Sequence, residues 1–219
     1  MINIGRDIAR YTLYELIILS LLMRSPLHGY LILKIANDQI GPWAKISSGS
    51  LYQILAKLEH ARIIAVMQHE NQSATGEHVD RQLRVFMITD DGRKRFRQVM
   101  MDTSSNLGDY QKLFRYKIAY IDLLQPRERL LLINHYVNYC QTYILHLETE
   151  MDALVHELAN QPNPLYLKNV LNVMQHIKQQ WQGELDWARS LREEVMAQVN
   201  DASNVAVLDM VALDEEIPS

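Results

Sequence analysis

"ISSGSLYQILAKLEHARII", residues 46–64, is the stretch on which the fold turns. It opens with serines and a glycine, becomes amphipathic, and stops at a pair of isoleucines. Leu51, Ile54, Leu55 and Leu58 recur at i, i+3, i+4 and i+7, which predicts a helix with one buried stripe. Ser47 or Ser48 suits the N-cap, where a side-chain oxygen accepts from a free backbone N–H. Opposite the stripe lie Gly49, Gln53, Ala56 and His60, flanked by Ser50, Tyr52 and Lys57. A helix that merely covers a core usually shows water a denser face of Glu and Lys. This face is low enough to be approached closely.

Two further helices are expected upstream. "YTLYELIILSLLM" (11–23) is apolar-rich and is broken by Pro26 and Gly29; "YLILKIANDQI" (30–40) carries Leu31, Ile32, Ile35 and Ala36 at helical spacing and ends at Gly41-Pro42. Downstream, "IIAVMQ" (63–68) and "QLRVFMIT" (82–89) are β-prone and read as a two-stranded hairpin with a long polar tip. Thr89 is placed to cap a new helix starting "DDGRKRF", which links onward to about residue 124. Three helices followed by a hairpin is the order of a winged helix-turn-helix, whose third helix enters the DNA major groove. In that frame Ser48 and Ser50 approach a phosphate at the helix N-terminus. Gln53 can pair with an adenine edge, and Tyr52 and Lys57 can reach bases or phosphates. Arg81 and Arg84 bracket the returning strand and fit backbone contacts. The plainer readings are a capped, half-buried helix and an edge strand guarded by charges. The charges of "GRKRFR" (92–97) point in several directions, and most are expected to be solvated.

"LLMRSPLHGYLILKI", the opening stretch and "VFMITDDGRKRF" resemble the three signature segments of the PadR family of bacterial transcription regulators. The chain keeps His28-Gly29-Tyr30, Gly49-Ser50-Leu51-Tyr52, Leu55, Leu58-Glu59, Ile88-Thr89 and Gly92-Arg93. The resemblance spans roughly residues 11–100 and implies a DNA-binding winged domain, with His28 and Tyr30 joining the contacts above. Ser48 and Gln53 stand where the family often has proline, and Arg62 where it usually has glycine. Position 53 faces the expected groove, so the family's base contacts do not transfer there.

The remaining sequence bounds the alternatives. The 219 residues are 48% apolar and 22% charged, ordinary for a globular chain with a substantial core. Residues 1–101 hold 13 Lys/Arg against 9 Asp/Glu, and residues 102–219 hold 9 against 17, so a basic front half meets an acidic back half. No apolar run reaches the ~18 residues of a membrane span. The N-terminus lacks a signal peptide's apolar core. A single cysteine, Cys140, rules out an internal disulfide and a multi-cysteine zinc site. A cytoplasmic location is expected.

From Pro126 the apolar residues Leu130, Ile133, Val137, Cys140, Ile144, Leu147, Met151, Leu154 and Leu158 alternate steps of three and four, the pattern of a helix-helix seam. After "NQPNP" a second long helix carries Leu167, Val170, Met174, Ile177, Trp181, Ala188, Leu191 and Val195, interrupted by Glu184. An intrachain hairpin covers part of these stripes; the surplus points to a homodimer, as does the resemblance, which implies a C-terminal helical dimerisation domain. The expected plan is mainly α with a small hairpin: a winged helix-turn-helix over 1–100, a helical dimerisation domain over 101–200, and an acidic, flexible tail over 201–219.

No G-x-S-x-G, Gly-rich phosphate loop or H-E-x-x-H is present, so neither an enzyme nor a cofactor is expected. His135 and His146 lie about 16 Å apart at ~1.5 Å per helical residue, too far for one metal ion. The resemblance implies a small effector, a phenolic acid or a flat hydrophobic molecule. Tyr14, Tyr139 and Trp187 could stack on it while His135 or an arginine holds a carboxylate, although ordinary core is the favoured reading of the same rings. The functional expectation is a dimeric repressor on a pseudo-palindromic double-stranded operator, with no membrane association. The alternative is a helical interaction protein whose winged domain binds protein rather than DNA.

Overall fold

A computed structural model describes residues 4–41, 45–67, 84–104, 107–158 and 165–214. The chain divides into two compact units, residues 1–124 and 125–219. This division falls later than residue 100 because the segment beyond it packs back onto the first helix.

The first unit opens with α1 (Ile4–Arg24), β1 (Leu27–His28) and α2 (Gly29–Ile40). Then come α3 (Ser48–His60), β2 (Ile64–Val66), β3 (Val85–Ile88) and α4 (Asp90–Met101). Helix α1 is the spine: Leu16, Ile17, Ile18, Leu19 and Leu22 are buried, and α2, α4 and α5 (Tyr110–Ala119) pack against it. The stripe expected on α3 is the buried one, Leu51, Ile54, Leu55 and Leu58. The fold is therefore mainly helical with a small antiparallel sheet, as the sequence implies. The sheet has three strands rather than two, in the order β1-β3-β2. Leu27 pairs with Phe86 and His28 with Val85, while Ile64 pairs with Ile88. A two-residue strand carries no alternation to betray it.

Polar links fix how these elements meet. The Thr89 hydroxyl caps α4, accepting from Gly92 N at 3.0 Å, and it donates towards the Arg62 and Ile63 carbonyls. Gly92 is needed there, since a Cβ would lie 2.1 Å from the Ile63 carbonyl oxygen. Arg62 takes a left-handed φ of 59°, which explains why a glycine is at home in that position. Buried Glu15 on α1 accepts from Arg95 Nε and Nη2 at 2.7 and 2.9 Å, so Arg95 is not among the solvated charges expected of "GRKRFR".

The expected linking helix is interrupted. Helix α4 stops at Met101, where Asp102 accepts from Ser104 N at 3.0 Å, and a 3-10 turn (Leu107–Asp109) precedes α5. Short polar side chains in "DTSSN" compete with the helical backbone for hydrogen bonds. Lys117 on α5 is fully buried and donates to the carbonyl of Asp102, the residue that ends α4. Burial pushes its amine down to about 8, against the opposing pull of the Asp102 carboxylate. A second 3-10 turn, Ile121–Leu123, is fastened to α1 by the two hydrogen bonds between Arg24 and Asp122.

The second unit contains α6 (Pro126–Leu158) and α7 (Leu165–Asp214), packed along each other. Tyr136 donates to Glu184 at 2.7 Å and Lys178 pairs with Glu148 at 2.7 Å, so the helices run antiparallel. Ile133, Val137, Cys140, Ile144 and Leu147 form the buried α6 face, facing α7 residues that include Leu185, Ala188 and Val195. Glu184, the break in the apolar pattern, is explained by its bond to buried Tyr136. Burial pushes the Cys140 thiol up to about 11, so it serves as packing rather than as a nucleophile. Helix α7 continues to Asp214, through most of the span expected to be a flexible tail, because no Pro or Gly interrupts it there.

Candidate nucleic-acid interface

Ser47 is the N-cap of α3: its hydroxyl oxygen accepts from Ser50 N at 3.2 Å and lies 2.9 Å from the Ser50 hydroxyl. Only part of the helix's N-terminal donor set is met this way, and the remaining N–H groups and the helix dipole favour an anion. Beyond the cap, Ser48, Gly49, Ser50, Gln53, Ala56, Lys57 and His60 are all exposed. They form one continuous outer face, low at Gly49 and Ala56, bearing an amide at Gln53 and an ammonium at Lys57. Lys57 Nζ lies 5.7 Å from the centroid of the Tyr11 ring, a cation–π contact that aims a still-exposed charge.

The flank of the helix differs from this face. Tyr52 is half-buried, with its ring over Gly29: a Cβ on that glycine would lie 2.8 Å from the Tyr52 hydroxyl and 2.9 Å from its Cε1. Tyr52, expected to reach bases or phosphates, packs against the start of α2. About two helical turns further on, Glu59 accepts from Arg84 Nη2 at 2.6 Å, and the Arg84 guanidinium lies over the Phe86 ring at 5.3 Å. Arg84 is thus engaged within the fold rather than directed outward. Arg81 lies outside the described residues, as does the hairpin tip.

His28 and Tyr30 stack at 5.7 Å where β1 gives way to α2. Tyr30 is exposed, whereas His28 Nδ1 is buried with no hydrogen-bond partner among the described residues. The residues expected to hold an effector are divided between the units, with Tyr14 half-buried on α1 and His135, Tyr139 and Trp187 in the second unit. There Tyr139 stacks on Tyr136 at 6.0 Å and meets Trp181 edge-on at 5.6 Å; Tyr143 lies 4.4 Å from the same indole. Trp181 and Tyr143 stand in the aromatic group around Tyr139. The i, i+4 spacing of Tyr139 and Tyr143 was the available signal.

Among the described residues, no group of three or more His, Cys, Asp or Glu gathers as a metal site, and no helix is long and apolar enough to cross a membrane. A winged helix-turn-helix with an open polar face on its third helix defines a nucleic-acid-binding regulator. Residues 18–98 match the model of the transcriptional regulator PadR-like family. Over those residues, from within α1 to within α4, the chain is similar to this family of transcription regulators. No curated protein matches it significantly.

Similar solved structures include Bacillus subtilis PadR in complex with operator DNA, at 16% identity and a TM-score of 0.32, covering 83% of this chain and 98% of that one. The same protein in complex with p-coumaric acid matches at 15% identity and a TM-score of 0.33, over 84% and 96% of the two chains. The Vibrio cholerae virulence activator AphA matches at 17% and 0.32, over 85% and 99%.

Proposed function

We propose that the chain acts as a homodimer on a pseudo-palindromic double-stranded operator, placing one α3 in each of two successive major grooves. The observation that carries this reading is the division of α3 into three sectors. Its stripe is buried, its flank is fastened at Tyr52 and Glu59, and its outer face from Ser48 to His60 is exposed. On such a face Gln53 reads a base edge and Lys57 reads a base or phosphate, while Ser48 and Ser50 sit at the helix N-terminus beside the backbone. His28 and Tyr30 extend the surface at the start of α2. Two-fold symmetry of the protein then sets the half-site spacing.

Dimerisation falls to the second unit. Leu131 and Leu145 on α6, and Tyr166 and Val173 on α7, are exposed apolar side chains beyond the α6–α7 seam. Within each helix they repeat at multiples of seven residues, the period of a further seam. A dimer covering an operator excludes other proteins from it, so repression in the cytoplasm is the sense of regulation proposed. A small aromatic effector, stacked among Tyr139, Tyr143 and Trp181, would release the DNA by changing the preferred arrangement of the two winged units.

The test is binding of the purified chain to its own upstream DNA by fluorescence anisotropy across a salt series. Steep salt dependence is expected, and Lys57→Ala should reduce the slope of log K against log salt by about one. Absence of any DNA preference would favour the rival, a helical protein-binding module.

A further inference from the structure

Glu59 is an anomaly on a helix that faces phosphates. A carboxylate on its flank opposes binding to a polyanion, yet it is met within the fold by Arg84, 25 residues away, at 2.6 Å. Both side chains are half-buried, and Arg84 is further confined over the buried ring of Phe86. Glu59 lies seven residues from Tyr52, on the same flank. Tyr52 packs on Gly29, whose neighbour His28 pairs across the sheet with Val85, the residue after Arg84. Two contacts about two helical turns apart therefore seat the flank of α3 along β1 and β3. Met67 N donates to the Val85 carbonyl at 2.9 Å, closing the base of the hairpin at Arg84's neighbour.

We infer that the Glu59–Arg84 pair is a positioning clasp. It holds the base of the β2–β3 hairpin against the C-terminal turn of α3, so that helix and hairpin base meet one duplex as a single unit. Arg84 is a positioning residue, not a phosphate ligand, and Glu59 aids DNA binding despite its charge. The inference rests on the DNA-binding reading above.

The two roles for Arg84 predict opposite signs at its partner. If the pair is a clasp, Glu59→Gln weakens binding to the chain's own upstream DNA roughly fivefold to tenfold, the scale of coupled charge pairs. Arg84→Ala weakens it to a similar degree without changing the salt slope, and the double variant is no weaker than either single one. The swap Glu59→Arg with Arg84→Glu restores most of the loss, which a general folding defect would not allow. The inference is overturned if Glu59→Gln leaves binding unchanged or tightens it, as removal of a negative charge beside DNA otherwise should. It is overturned equally if Arg84→Ala lowers the salt slope by about one, the mark of a lost phosphate contact. A wild-type chain with neither DNA preference nor salt dependence would instead overturn the reading beneath it.

Discussion

The two units use their side chains in different ways. In the first, elements from distant parts of the sequence are joined by particular polar links: Glu15 to Arg95, Glu59 to Arg84, Thr89 to the Arg62 and Ile63 carbonyls, and Arg24 to Asp122. In the second, two long antiparallel helices meet along an apolar seam, with Tyr136–Glu184 and Lys178–Glu148 as polar stitches. Directional links fix angles, which matters where a helix must be offered to a groove at a set pitch. A seam fixes an axis and tolerates extension, and the helix pair leaves Leu145 and Tyr166 exposed.

Substitution of glycine gives the sharpest contrast between the units. A methyl group on Gly92 would meet the Ile63 carbonyl oxygen at 2.1 Å and Ile88 Cγ1 at 2.7 Å. Gly92→Ala is therefore expected to destabilise the first unit by about 3 kcal/mol, read from urea unfolding. Unchanged stability would mean that the junction of α4 with the sheet is looser than described.

The next effect follows from Lys117, whose amine is held down to about 8 when folded against 10.5 otherwise. Between those values the unfolded chain binds the proton and the folded chain has released it. The contribution of this group to stability thus rises with pH across the window, by up to about 3 kcal/mol, with part of it lost to local relaxation. Urea unfolding of wild type and Lys117→Met at successive pH values should show the rise in wild type alone. Parallel curves would contradict a buried cation at this point.

The smallest effect belongs to the second unit. A Cβ at Gly183, within α7, meets nothing within 4 Å. Gly183→Ala is expected to stabilise by up to about 1 kcal/mol through helix propensity, seen as a higher thermal midpoint. A loss instead would mean that another chain approaches closely there.

How much of this was legible in the sequence depended on range. The α3 stripe and the α4 cap at Thr89 follow from local spacing, and the structure places both as read; of the two serines suited to cap α3, Ser47 does so. The seam residues of α6 were legible for the same reason, since heptads are periodic over many turns. Arg62 is signalled only indirectly, by standing where the family it resembles usually has glycine, and its φ of 59° supplies a physical reason. Partners distant in sequence were invisible. Nothing in residues 46–64 says that Glu59 bonds Arg84 or that the Tyr52 ring lies over Gly29. Strand β1 escaped because two residues show no period, and the break after Met101 escaped because the polar run there still permits helix.

The measurement that bears most directly on the central claim is Gln53→Ala, compared with wild type on the chain's own upstream DNA and on a random duplex of equal length. Gln53 is exposed at the centre of the outer face of α3. The account predicts that the variant loses roughly fivefold to a hundredfold in affinity for the upstream site, about 1–3 kcal/mol, while binding to random DNA is nearly unchanged. Equal binding of both duplexes by wild type and variant alike would contradict base reading by α3.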